Sequence, residues 1–215
     1  MHQMFNITST TDKINTLGGL ALAGELFNGF DLERSLGFRE IGKRSDRVSD
    51  SDIVKTMMGL FVQGRSDYVD IELFRNDPLF GPTFGLKKVV SCSALRLRLD
   101  ELAEFCDCQS RLREANTRFL RNVELDSVGT GYRQFIPVDA DVSPFDNSRS
   151  SKEGVGRTYK GCDGYAPIFA YVGTQGYLLD CELRKGVQHS QKNAPEFFQG
   201  CINKLDSLGI LSLAP

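Results

Sequence analysis

Apolar and polar positions follow two different periods along this chain, and the change falls near Gly129. Before it the spacing is helical. "LGGLALAGELFNGFDLERSL" (residues 17–36) combines small and apolar residues suited to a helix lying close against a neighbour. "SDSDIVKTMMGLFVQG" (49–64) opens on a capping signature, Ser49 followed by Asp52. Ile53, Met57, Leu60 and Phe61 then share one face, and Gly64 is the expected stop. "LFRNDPLFGPTFG" (73–85) reads as a loop broken by Pro78, Gly81 and Pro82. Ser91 or Ser93 can cap the next helix, whose buried stripe is Leu95, Leu99 and Leu102. Helical spacing continues through "QSRLREANTRFLRNVEL" (109–125).

After Gly129 the period shortens. Phe135, Ile136 and Val138 in "RQFIPVDADV" suit a strand, and "SSKEGVGRTYKGCDGY" (150–165) is a polar, glycine-rich loop. "APIFAYVG" and "GYLLDCELR" are strands joined through "GTQG" as a hairpin. A last helix begins near Asn193, with Pro195 in its first turn and Phe197, Phe198, Cys201, Ile202 and Leu205 along one face. "ILSLAP" (210–215) would start a fourth strand. The pattern predicts an α+β chain: helices, then strand–strand–strand–helix.

Composition narrows the class more than the function. At 215 residues, 40% hydrophobic and 25% charged, the chain can bury a real core and has no run long enough for a membrane span, which needs ~20 apolar residues. A cytoplasmic protein with no membrane partner is expected, its N-terminus being polar. Six cysteines lack zinc-ligand spacing, and with only two histidines they read as reduced and structural. There is no P-loop and no G-x-S-x-G. Net charge is −2, yet Lys87–Arg121 holds eight Lys and Arg against five Asp and Glu. Such a bias suits either a solvated helix face or DNA contact.

The candidate chemistry lies in "FIPVDADVSPFDN" (135–147), three aspartates at the end of a strand. Asp139 and Asp141 are two apart, so an extended strand puts them on one face. Paired carboxylates there can serve a metal ion, or they can mark a solvated turn. Three strands followed by a helix also begin an RNase H-like domain, whose first strand delivers a carboxylate, but a D-x-D on a strand is a weak signal and on pattern alone the solvated turn is the commoner outcome.

The stretch Val138–Phe198 resembles the start of the catalytic domain of DDE transposases from bacterial insertion sequences, the thirteen-eighty group above all. "SDSDIVKTMMGLFVQGRSDYVDIELFRNDPLFGPTFGL" and "SALRLRLDELAEF" are similar to the helical N-terminal region of that group, so the likeness spans residues 15–206. It implies a helical DNA-binding region over 1–128 and the beginning of an RNase H-like domain over 129–215. It implies DNA transposition and phosphoryl transfer on terminal inverted repeats, with Mg2+ as cofactor and Asp141 as first catalytic and metal-ligating aspartate, Asp139 second in line. Tyr159, Lys160, Gly161, Gly164 and Tyr165 match the family's glycine-rich segment, in which Lys160 can meet a phosphate. Arg184 and His189 match its basic segment, either to contact DNA or orient the site. Arg96, Arg98, Arg111, Arg113 and Arg118 are expected on phosphates around a helix in the major groove.

The family's second aspartate and its glutamate would fall after Pro215. The resulting expectation is a truncated, inactive transposase with an exposed sheet edge, associating with itself or with intact transposase. The alternative is a non-catalytic DNA-binding fragment that represses or poisons the intact enzyme.

Overall fold

The computed structural model describes Thr11 and residues 19–36, 48–105 and 107–210. The expected strand at 210–215 lies outside these apart from Ile210, as does Cys106. The chain is a mixture of helices and small antiparallel sheets, hence α+β. It divides into two compact units, one of residues up to 28 with 32–106, the other of 29–31 with 107–215. The division falls ahead of the position 128 anticipated from sequence, because the helix that follows it packs with the sheet.

The first unit contains α1 (Leu20–Asn28), α2 (Leu32–Leu36), α3 (Asp50–Val62), a 3-10 helix (Tyr68–Leu73), α4 (Phe80–Thr83) and α5 (Cys92–Phe105). Ser49 caps α3 by accepting from the Asp52 N–H at 3.1 Å. The Asp52 carboxylate does not return the bond; burial raises its pKa, opposed by the backbone N–H of Lys87. Gly64 ends the helix region with φ +69°. On α3, Ile53 and Leu60 are fully buried and Met57 partly so, while Phe61 is exposed, so the buried face is narrower than the sequence suggests. Ser91 caps α5 through the Ala94 N–H, and Leu95 and Leu102 are buried, each contributing about 1.5–3 kcal/mol.

The stretch read as a loop is the aromatic centre of this unit. Asp77 Oδ1 accepts from the N–H groups of Leu79 and Phe80, starting α4. That places Phe80 on Phe74 and Phe84 at 4.9 and 5.0 Å, with Phe27 on Phe84 at 5.3 Å. Close approach explains two helical glycines. A Cβ on Gly24 would meet the Thr83 carbonyl oxygen at 2.0 Å, and one on Gly59 the Phe84 ring at 2.8 Å.

The second unit comprises α6 (Cys108–Leu120), β1 (Val128–Thr130), β2 (Arg133–Phe135), β3 (Val138–Val142), β4 (Phe145–Asp146), β5 (Gly156–Arg157), β6 (Asp163–Tyr165), β7 (Ile168–Val172), β8 (Tyr177–Glu182) and α7 (Ala194–Ser207). Ile136–Pro137 separates β2 from β3, since proline cannot donate to a ladder. The main sheet runs β3–β7–β8, all antiparallel, with β7 and β8 joined by Gly173–Gly176. Ala140, Val142, Ile168, Ala170, Val172 and Leu179 face one way and meet Phe197, Cys201 and Leu205 of α7 and Leu120 of α6. Phe198 and Ile202 are exposed, so α7 buries one stripe of the apolar set. Side chains occupy the carbonyls of β8: Asn116 at Leu178, Lys204 at Leu179 and Arg113 at Cys181. The polar loop is itself ordered into a second sheet, β4–β6–β5.

Candidate functional site

Strand β3 alternates because Val-Asp-Ala-Asp-Val does. Val142 is buried under the helices, whereas Asp139 and Asp141 are exposed on the opposite face of the sheet. Gly173 donates to the Pro137 carbonyl and Ser143 to that of Pro167. In an antiparallel ladder this assigns Asp139 and Asp141 to the pairs hydrogen-bonded with β7. The carboxylates therefore stand on backbone held in the ladder, and the backbone groups of Val138, Ala140 and Val142 point to the free edge.

Register sets their neighbours. Asp139 lies opposite Tyr171 and Asp141 opposite Phe169. Opposite residues project on the same face, so two rings stand directly beside the two carboxylates. Phe169 is 6.3 Å from Tyr171 between ring centroids, with planes 20° apart, and Phe145 of β4 extends the row at 5.7 Å. Phe145 is 52% exposed and Tyr171 40%. Further along this face, β7 pairs Phe169 with Cys181 and Tyr171 with Leu178.

A tether fixes what lies at the end of β3. Tyr159 Oη donates to the Val142 carbonyl at 2.9 Å. Its turn is closed by the Gly161 N–H on the Thr158 carbonyl, with Gly161 at φ +80°, and is anchored by buried Thr158, whose Oγ1 donates to Cys162 O. Lys160 is thereby exposed one residue from the tether. Gly164 and Tyr165 have structural duties: a Cβ on Gly164 would lie 1.8 Å from the Phe145 carbonyl oxygen, and Tyr165 Oη donates to Glu153 O. The third aspartate differs from the pair. Asp146 accepts from the N–H and Oγ of Ser148, a turn-forming pattern that holds its carboxyl below the ordinary range.

The cationic residues expected on DNA fall in both units, Arg96 and Arg98 in the first and six in the second. Arg96 is exposed and has no ion pair among the described residues, and Arg111 is also exposed. Arg98 is partly buried between Asp50 and Glu101. Arg113 pairs with Asp180 at 2.9 Å and Arg118 with Glu114 at 2.6 Å. Arg184 is 2% exposed, donating to Glu182 and to the carbonyls of Ser190 and Asn193, over the Phe197 ring. His189 is exposed and its Nδ1 accepts from the Gln191 N–H. Sequence reasoning named Lys160 but passed over its neighbours: residues 147–162 hold Arg149, Lys152 and Arg157 beside Lys160, against the lone carboxylate Glu153. All four are exposed, and Arg157 alone of them has an ion pair among the described residues, a loose 3.5 Å contact with Asp163. The aromatic row was also missed, although "IFAYV" set opposite "VDADV" carries the signal.

Asp139 and Asp141 give two carboxylates to any cation. Among the described residues no group of three or more His, Cys, Asp or Glu side chains is gathered to hold a metal ion. The pair by itself does not amount to the ligand set of two magnesium ions, which need carboxylates from more than one element. The second unit also carries buried ionisable groups away from this face. Burial pushes the Cys201 thiol up to about 11 and holds the Lys204 ammonium below its usual range. Compared with known proteins, the chain matches no family model, no curated protein and no solved structure.

Proposed function

We propose that this chain is a DNA-binding protein of the DDE transposase kind, with Asp141 and then Asp139 marking where metal-dependent phosphoryl transfer on transposon ends is centred. One observation carries the reading: both aspartates project from the exposed face of β3, first strand of an antiparallel β3–β7–β8 sheet whose other face is covered by α7. A first strand that delivers carboxylates is what the resemblance to the start of an RNase H-like catalytic domain implies, and β3 supports the reading to that extent. The cationic segment of residues 147–162, inserted between β4 and β6 and tethered at Val142, adds an electropositive stretch at the end of the same strand. Exposed, mostly unpaired cations of this kind suit phosphate contact better than the internally paired Arg98, Arg113 and Arg184. Chemistry needs carboxylates beyond this pair, so DNA binding is the part of the reading that the chain's own residues support most directly.

The test is equilibrium binding of the full chain to duplexes taken from both sides of its gene, against a scrambled duplex, over a range of salt. Four cations on phosphates predict a slope of log affinity on log salt of about −3 to −4. Tighter binding to a flanking duplex than to the scrambled one is expected. Affinity independent of salt, or no binding to DNA in either duplex or single-stranded form, would overturn the reading.

A further inference from the structure

We infer that the row Phe145–Phe169–Tyr171 is a stacking platform for unpaired bases of a DNA strand. The inference rests on the DNA-binding reading above and specifies the form of DNA engaged. The two faces of the main sheet differ sharply: one is sealed by α6 and α7, whereas the other presents Phe169 and Tyr171, with Phe145 of the small sheet stacked alongside, and Phe145 and Tyr171 are 40% or more exposed. Large aromatics side by side on an open sheet face are a recognised platform for bases, whose π faces all stack irrespective of sequence. The flat partner is further selected by charge. An apolar protein surface laid over the rings would bury Asp139 and Asp141, which stand directly opposite Tyr171 and Phe169, with no counter-charge. Bases avoid that cost, because the exocyclic amino groups of cytosine and adenine donate to carboxylates.

The same charges orient the strand. Phosphates are repelled from β3 and attracted to the insertion, whose Arg149, Lys152, Arg157 and Lys160 outnumber its acids. Phe145 and Arg157 belong to the one small sheet, Phe145 on β4 and Arg157 on β5, with β6 between them. A strand with its backbone along the insertion therefore lays its bases across the rings toward the aspartates. In a duplex the base faces are covered by their neighbours, so only a frayed, flipped or single-stranded segment can occupy the row.

The experiment uses the full chain in metal-free buffer, with a single-stranded oligonucleotide carrying 2-aminopurine and its duplex. The expected result is tighter binding of the single strand and a change in 2-aminopurine emission on binding, which reports altered stacking. Tyr171→Leu and Phe145→Leu are each expected to weaken single-strand binding about tenfold while leaving duplex binding unchanged, and Tyr171→Phe is expected to retain it. Duplex binding at least as tight as single-strand binding, with no emission change in the unaltered chain, would overturn the inference while leaving the DNA-binding reading intact. Self-association of the chain through this face in place of DNA would also overturn it. Absence of binding to either form would remove the DNA-binding reading and the inference with it. The 2-aminopurine measurement on the unaltered chain decides the matter even if a leucine variant fails to fold.

Discussion

Gly164→Ala should open the insertion without unfolding the unit around it. A Cβ at this position would lie 1.8 Å from the Phe145 carbonyl oxygen, where even a close C–H···O contact needs about 3.3 Å. β4 must then withdraw from β6 by roughly 1.5 Å, too far for ladder hydrogen bonds to survive. The register pairs Phe145–Tyr165 and Asp146–Gly164 are lost, along with the 2.8 Å bond from the Asn147 N–H to the Asp163 carbonyl. Two or three such bonds at about 0.5–1.5 kcal/mol each amount to roughly 1–4 kcal/mol. Because β4–β6–β5 is a separate sheet, this loss should be local. Hydrogen exchange read residue by residue is the assay, and the Asn147 amide should exchange at least about tenfold faster while β7 and α7 keep their protection. Single-strand binding should weaken as well, since Phe145 leaves the row. Unchanged protection at Asn147 would refute the steric argument, and loss of protection throughout β7 would refute the claim that the insertion is energetically separate.

Two helical glycines should respond to alanine with opposite signs. Gly59→Ala drives a methyl into the Phe84 ring and should cost about 1–3 kcal/mol in a denaturant titration, whereas Gly200→Ala on α7 meets nothing within 4 Å and should gain about 0.5–1 kcal/mol. Equal signs would show that helix propensity, not the ring contact, governs position 59. Cys201 should resist alkylation at pH 8 in the folded protein, because burial raises its thiol from 9.0 to about 11; labelling as fast as at Cys92 would refute this. A thiol whose folded pKa is raised contributes stability that is complete below pH 9 and lost as pH climbs towards 11. Cys201→Ala should therefore lose less stability over that interval than the unaltered chain, as followed by urea unfolding. Replacing both Asp139 and Asp141 by asparagine should tighten single-strand binding about two- to fivefold at low salt without metal, with the gain fading as salt screens the charges; a loss of affinity would mean that the carboxylates serve mainly as base acceptors.

What was legible in the sequence is what short-range chemistry dictates. The Ser49 and Ser91 caps, the hairpin at Gly173–Gly176 and the shared face of Asp139 and Asp141 depend on residues a few positions apart. What escaped depends on tertiary neighbours. Proline and glycine in residues 73–85 signal irregular backbone, but whether that backbone lies on the surface or supplies Phe74, Phe80 and Phe84 to a core is settled by α1 and α3. Arg184 looks like any cation in a basic segment, and its burial follows from Glu182 and the carbonyls around the start of α7. The glycine-rich stretch 150–165 reads as a loop, whereas it pairs into β5 and β6, with Gly164 packed against the Phe145 carbonyl. Phe169 and Tyr171 share a face by strand alternation alone, but the rest of the aromatic row needed β4 brought beside β7 and the carboxylates needed the β3–β7 register, which no local pattern supplies.

The hydrogen bonds that Asn116, Lys204 and Arg113 make to the carbonyls of β8 give the sheet a growth direction. On that flank the acceptors are already taken, and an incoming strand would have to displace three side chains. On the opposite flank only Val142 is engaged, by Tyr159, and the outward backbone groups of Val138 and Ala140 have no partner among the described residues. Extension of the sheet is thus one-sided, and the side is that of the carboxylates. Any strand added there would set its own side chains about 4.5–5.5 Å from Asp139 and Asp141 and so wall the carboxylates on their open side.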